Sequence, residues 1–244
     1  MEKDYAAPQA ALHKLKAARR LGQTVYLYGA TGYGKTELVR RYLASRRYTY
    51  LSCGEGAWEE AALPAPPKEI KEDAPCSVVV IDDLHRLKEE AGQKKVLSLL
   101  GRKDVWLFLI SRSQVPPWLL PAYLQTGFLV IPEEDLRLKA PEAAALLARF
   151  GVEAEERVLT RLAEDSRGNA CVLGIAARLM AQGVKPGPEL SAAVTRLFSD
   201  YLENAVLGEW EPELLEFLMQ VSVTDSFDLS LAEMISGSRQ AVRL

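Results

Sequence analysis

The chain has 244 residues, of which 48% are apolar and 26% charged, and this composition is that of a globular protein with one large domain or two small ones. A net charge of −3 argues against nucleic-acid binding by this chain, and two histidines exclude a histidine-rich zinc site. An odd number of cysteines without C-x-x-C spacing, an N-terminus without a secretory segment and only short apolar runs predict a cytoplasmic protein that does not contact membranes.

The first half of the chain alternates between apolar runs typical of strands and amphipathic stretches typical of helices. A helix is predicted over Ala10–Leu21. Strands are predicted at 24–28, 48–52, 77–83, 104–110 and 128–131. Continuously apolar, β-branched runs such as 77–81 are typical of strands buried on both faces of a parallel sheet. The proline-rich stretch from Gly54 to Pro75 predicts an excursion over the surface.

The segment after the first predicted strand, residues 29–36, matches G-x-x-x-x-G-K-[ST] without a gap. A helical pattern, Glu37–Leu43, follows it, so backbone N–H groups of the turn and the helix dipole converge on bound phosphates. Lys35 is expected to reach the β- and γ-phosphates, and the Thr36 hydroxyl is expected to face Mg²⁺. The predicted nucleotide contacts are Gly29, Ala30, Thr31, Gly32, Tyr33, Gly34, Lys35, Thr36 and Glu37.

Two carboxylates end the strand predicted at 77–83. Ligands of open α/β sheets bind at the carboxyl ends of the strands, so Asp82 and Asp83 are expected beside the phosphates. We expect Asp82 to hold the Mg²⁺ shell through water, together with Thr36. Asp83 is the candidate that orients or deprotonates the attacking water.

Arg112 ends the next strand at the same edge of the sheet. A guanidinium there can read the γ-phosphate through charge-assisted hydrogen bonds, and we assign Arg112 to the catalytic set with Lys35 and Asp83. His85 lies two residues beyond Asp83, and its sequence position fits the site and helix packing equally well.

The second half of the chain carries only helical patterns. Helices are predicted at 143–150, 155–162, 172–181, 190–207 and 213–221, with a linker at 185–188. Strands first and helices afterwards predict an α/β domain followed by a helical one, with a boundary near Leu136. The last residues, 238–244, carry no helix stop, and we expect the sequence to belong to a longer protein.

The order of these motifs resembles the ATPase core of the MalT-type, LuxR-family bacterial transcriptional regulators, which belong to the STAND class of signal-transduction ATPases. The resemblance runs through nearly the whole chain and rests on segments 29–36, 78–85, 109–113, 135–138 and 198–207. It implies an AAA-like P-loop parallel sheet with an extra strand between the phosphate-loop strand and the Asp82 strand. It also implies a division into a nucleotide-binding domain (1–135), an all-helical lid (136–200) and the beginning of a winged-helix domain (201–244).

Two features depart from the family. The region between the second strand and Asp82 looks shorter than usual. In the lid, many STAND proteins have a Gly-x-Pro that touches the nucleotide, whereas this chain has Gly168-Asn169-Ala170.

The sequence thus predicts a switch that binds ATP or ADP with Mg²⁺, hydrolyses ATP slowly and controls domain arrangement in a longer regulator. DNA binding would belong to a module outside this chain, and we expect the full-length protein to assemble on inducer plus ATP. Two rival interpretations remain, a nucleotide-locked scaffold without useful hydrolysis and a generic AAA-type remodeller or loader. No motif in the sequence distinguishes ATP from GTP.

Overall fold

The structure is a computed structural model that describes residues 6–54, 76–224, 226 and 228–237. Most of the predicted excursion between Gly54 and Pro75 lies outside the described residues, as does the segment 238–244. The chain divides into two compact units, Met1–Pro186 and Gly187–Leu244. The three-domain division at 135 and 200 stays a prediction.

A five-stranded, all-parallel sheet forms the centre of the first unit. Its strands are β1 (Val25–Tyr28), β2 (Thr49–Ser52), β3 (Ser77–Asp82), β4 (Val105–Ser111) and β5 (Leu129–Ile131). They lie in the order β2-β3-β4-β1-β5, so β4 separates the phosphate-loop strand from the Asp82 strand, as the resemblance implied. Every predicted strand is present, with its ends within one residue of the prediction.

Helices cover the sheet and continue beyond it in the first unit. They are α1 (Gln9–Leu21), α2 (Lys35–Tyr42), α3 (Glu90–Leu99), α4 (Leu120–Thr126), α5 (Glu133–Leu136), α6 (Ala140–Ala148), α7 (Glu156–Asp165) and α8 (Ala170–Ala181). The sequence did not predict α4 and α5. Both are shorter than the window over which a helical period shows, and α4 has no buried residue to mark one.

The core of the first unit lies on both faces of the sheet. The central strand β4 is accordingly buried along its whole length. Trp106, Phe108 and Ile110 of β4 face the cluster formed with α1 and α2. Leu107 and Leu109 face the cluster formed with α3 on the other side. A smaller cluster of Leu138, Ala143 and Leu173 holds α6 and α8 together. This two-sided burial confirms the interpretation of the continuous apolar runs as strands of a parallel sheet.

The second unit is helical in its described residues. It contains α9 (Pro188–Ala205), α10 (Pro212–Val221) and α11 (Leu229–Ser236). Phe217, Val221 and Ala232 form its buried cluster. The sequence did not predict α11, although Asp228 carries its start signal by accepting a hydrogen bond from the Leu231 N–H at 2.8 Å. No helix among the described residues is long and apolar enough to cross a membrane.

Candidate phosphate-binding site

A cavity of about 440 Å³ opens at the carboxyl edge of the sheet in the first unit. The turn after β1, the ends of β3 and β4, the residues before α1, and helices α6 and α8 form its walls. It is lined by Ala6, Pro8, Thr31, Gly32, Tyr33, Gly34, Lys35, Thr36, Glu37, Asp82, Asp83, Ser111, Arg112, Leu138, Leu146, Arg149, Ala170 and Cys171. The predicted loop contacts 31–37, both carboxylates and Arg112 therefore surround one space.

The turn between β1 and α2, residues 29–34, needs glycine at two positions that shape the cavity. Gly34 precedes α2 with φ of 71°, a left-handed conformation that admits glycine most readily. Gly32 has φ of 87°, and a Cβ there would lie 2.6 Å from Asn169 Oδ1. The loop is thus shaped both by its own backbone and by a side chain from the helical region.

Lys35 is almost fully buried, with 9% of its surface exposed. Its Nζ donates hydrogen bonds to the carbonyl oxygens of Gly29 at 2.7 Å and Ala30 at 2.8 Å. Burial lowers the pKa of Lys35 to about 8, although the nearby Asp82 carboxylate opposes the shift. Gly29 and Ala30 are not among the described cavity-lining residues; their carbonyls hold this ammonium group, and their predicted contacts with nucleotide stay a prediction.

Asp82 is buried at the end of β3, with 5% of its surface exposed. Its Oδ2 accepts hydrogen bonds from the Thr36 hydroxyl at 2.6 Å and from the Tyr50 hydroxyl at 2.8 Å. Its Oδ1 accepts one from the backbone N–H of Asp83 at 2.8 Å. The two residues predicted to hold Mg²⁺, Thr36 and Asp82, are therefore in direct contact.

Asp83 leaves the strand in a left-handed conformation with φ of 55°, which aspartate tolerates better than most residues. The Ser52 hydroxyl approaches its Oδ2 at 3.4 Å, at the long end of hydrogen bonding. Unlike Asp82, this carboxylate is half-exposed and lines the cavity, which suits a group that must reach a water molecule.

Arg112 follows β4 directly and lines the cavity, whereas His85 packs behind it. The Arg112 backbone N–H donates to His85 Nδ1 at 3.4 Å, and His85 is not among the described lining residues. Burial lowers the pKa of His85, with Asp83 opposing the shift. These contacts favour the interpretation of His85 as a packing residue.

The loop before α8 contacts the phosphate loop through Asn169. The Asn169 Oδ1 accepts hydrogen bonds from the Cys171 and Val172 backbone N–H groups at 3.0 and 3.2 Å, and so begins α8. Its Nδ2 donates to the Thr31 carbonyl at 3.0 Å. A second link runs from the Cys171 N–H to the Gly32 carbonyl at 3.0 Å. The Gly-Asn-Ala segment thus holds the phosphate loop itself.

The sequence predicted no role in the site for Tyr50, Glu133 or Arg149. Tyr50 and Glu133 carry no motif, because their contacts depend on the sheet order that brings distant segments together. The Glu133 carboxylate accepts a hydrogen bond from the Ala30 N–H at 2.9 Å and fixes the start of the phosphate loop. Arg149, at the end of α6, adds an exposed positive charge to the cavity wall.

Comparisons with known proteins support the fold. No family model matches the chain. The serine/threonine-protein kinase PknK of Mycobacterium tuberculosis is 31% identical over 174 residues, which is 69% of this chain and 16% of that protein. The matched region therefore spans about a sixth of the length of this relative. The kinase activity in its name is a property of PknK and is not assigned to this chain.

Solved structures share the architecture at low sequence identity. A Walker-type ATPase of Pyrococcus abyssi matches with a TM-score of 0.58 and 12% identity, over 86% of this chain and 78% of its own. A variant of Thermotoga maritima RuvB matches with a TM-score of 0.53 and 16% identity, over 97% and 83%. The chain has the AAA-like P-loop ATPase fold.

We predict that Asn169→Ala lowers the free energy of unfolding by about 1–2 kcal/mol, because a buried helix cap and the bond to Thr31 are lost together. Urea denaturation measures the change. Gln182→Ala, at the other end of the same helix and exposed, is the control and is expected to shift stability by less than about 0.5 kcal/mol. Equal effects of the two substitutions would contradict the assigned role of Asn169.

Proposed function

We propose that this chain binds ATP and ADP with Mg²⁺ and hydrolyses ATP slowly. The observation that carries the proposal is the single cavity shared by residues 31–36 of the phosphate loop, including the buried Lys35, and by the hydrogen-bonded pair of Thr36 and Asp82. A loop that offers backbone N–H groups and a lysine binds polyphosphate.

The residues around Asp82 fit a magnesium ion. A hydroxyl and a carboxylate are oxygen ligands of the kind that Mg²⁺ takes, and Thr36 and Asp82 would hold it. When bound, the ion would neutralise charge on the phosphate oxygens. The protein supplies the fixed orientation of both groups, since the Asp82 carboxylate already has hydrogen-bond donors on each oxygen.

Hydrolysis is assigned to residues at the wall of the cavity. Asp83 would orient or deprotonate water, and Lys35 and Arg112 would meet negative charge on the γ-phosphate. A lysine that remains cationic at neutral pH and a half-exposed carboxylate beside it provide the charges that this reaction needs.

The contact between the phosphate loop and α8 supports a regulatory role. The carbonyls of Thr31 and Gly32 accept hydrogen bonds from Asn169 and Cys171 at the start of α8. A nucleotide that changes the conformation of residues 31 and 32 would therefore change these bonds, and ATP and ADP can favour different positions of the lid. We therefore propose a switch of the STAND class, related to the MalT-type regulators, with a lid at 136–200 and a winged-helix segment from 201. DNA contact and inducer-dependent assembly are assigned to a longer protein.

Asp83→Asn tests the hydrolytic part of the proposal. Asparagine keeps the shape and tolerates the left-handed backbone, so ATP affinity should stay within about threefold while phosphate release falls about a hundredfold. Calorimetry and a phosphate-release assay measure the two quantities.

The control for this variant is Asp165→Asn, which makes the same charge change at an exposed ion pair with Arg161 and should alter neither quantity. Parental hydrolysis in Asp83→Asn would remove Asp83 from the catalytic set. Hydrolysis below detection in the parent protein would instead favour the nucleotide-locked scaffold.

The lowered pKa of Lys35 predicts a pH dependence of nucleotide affinity. Free Lys35 loses its proton near pH 8, whereas phosphate contact stabilises the charged form, so binding above pH 8 takes up a proton. The full affinity is present below pH 8 and is lost as pH rises. Calorimetry with ADP and Mg²⁺ should show affinity about tenfold weaker at pH 9 than at pH 7.

Lys35→Arg separates this effect from other titrations, because a guanidinium stays charged throughout the range. We expect its affinity to be weaker overall but constant within about twofold between the same pH values. A parental pH slope that persists in Lys35→Arg would assign the titration to another group.

A further inference from the structure

Tyr50 lies on β2, the edge strand next to β3, and reaches along the sheet to the buried carboxylate. In the strand register Tyr50 is opposite Val80, two residues before Asp82. Its hydroxyl donates a hydrogen bond to Asp82 Oδ2 at 2.8 Å, so the side chain of Tyr50 extends along the sheet by the two residues that separate Val80 from Asp82. The Arg40 guanidinium lies 4.7 Å from the ring centroid and packs over it.

The hydrogen bonds at Asp82 leave the carboxylate little freedom to rotate. Two hydroxyls, those of Thr36 and Tyr50, converge on Oδ2, which has two lone pairs. The Asp83 N–H occupies Oδ1. A buried carboxylate with three donors has a fixed orientation, and Tyr50 contributes the donor that comes from outside both motifs.

The two hydroxyl donors differ in whether they would also bind magnesium. Thr36 would also present its oxygen to the metal, and so its contact with Asp82 depends on the state of the site. Tyr50 has no such second task.

We propose that Tyr50 is a positioning residue of the magnesium site, whose hydroxyl holds Asp82 in the orientation that meets the hydration shell of the ion. The inference rests on the proposed function, because it assigns a role at the same site. Residues that orient metal-binding carboxylates in this way typically change metal affinity by about ten- to a hundredfold when they are removed.

Tyr48 provides a matched control on the same segment. It lies two residues earlier, is also half-buried and packs against the same core cluster. Its hydroxyl has no hydrogen bond to the residues that the structure describes. Tyr48→Phe therefore makes the same chemical change on the same segment without touching Asp82.

The experiment measures ADP binding by calorimetry with EDTA and then with saturating Mg²⁺, and takes the ratio of the two affinities as the magnesium-linked gain. Tyr50→Phe should bind ADP in EDTA with an affinity within about twofold of the parent protein. Its magnesium-linked gain should be about tenfold smaller than that of the parent protein. Tyr48→Phe should keep both. Melting temperatures check that each variant is folded, and Asp82→Asn, a second variant, should lose the gain as well.

A double-mutant cycle tests whether Tyr50 acts through Asp82. In the Asp82→Asn background, Tyr50→Phe should have no further effect on the gain beyond about twofold. The inference is overturned by a parental gain in Tyr50→Phe, by equal losses with EDTA and with Mg²⁺, or by additive losses in the cycle. A parent protein that binds no ADP in either condition would overturn the proposed function, whereas ADP binding without any gain would overturn the magnesium site alone.

Discussion

Two buried charges at the carboxyl edge of the sheet determine how the rest of the site is built. Lys35 and Asp82 are each at least nine-tenths buried, and an isolated charge in such a place is costly unless it is hydrogen-bonded. The chain satisfies Lys35 with two carbonyls of the phosphate loop and Asp82 with three donors from three segments. Hydrogen bonds from the chain itself therefore orient both charged groups, and such preorganisation reduces the ordering cost of binding.

The same edge connects the sheet to the helical region. The carbonyls of Thr31 and Gly32 accept hydrogen bonds from the start of α8. The Ala30 N–H donates a hydrogen bond to Glu133 of α5. The phosphate loop is thus held from β1, α5 and α8 together. A ligand that changed the loop would therefore act on contacts with elements far away in the sequence, which is the coupling that the proposed switch requires.

The local motifs were predictable from the sequence because each depends on a few adjacent residues. The glycines and Lys35 of the loop, and the paired carboxylates after an apolar run, are constrained by short-range geometry, and the strands by two-sided burial. Tyr50, Glu133 and Asn169 were not predictable in their roles. Their contacts join residues 32, 103 and 138 positions apart in the sequence, and only the strand order and the packing of the helices bring them together. The short helices α4 and α5 were not predicted for a different reason, because they have too few residues to show a helical period.

The most direct test of the account is the identity of the nucleotide that the protein carries. The purified chain is denatured, and the released small molecules are separated and identified by mass spectrometry; protein freed of nucleotide is then titrated with ATP and GTP in the presence of Mg²⁺. The account predicts adenine nucleotide in a ratio approaching one per chain, or its stoichiometric uptake by the emptied protein, with ATP preferred over GTP. Release of no nucleotide together with no uptake of either triphosphate would contradict the central claim, and uptake of GTP alone would contradict the assignment to adenine.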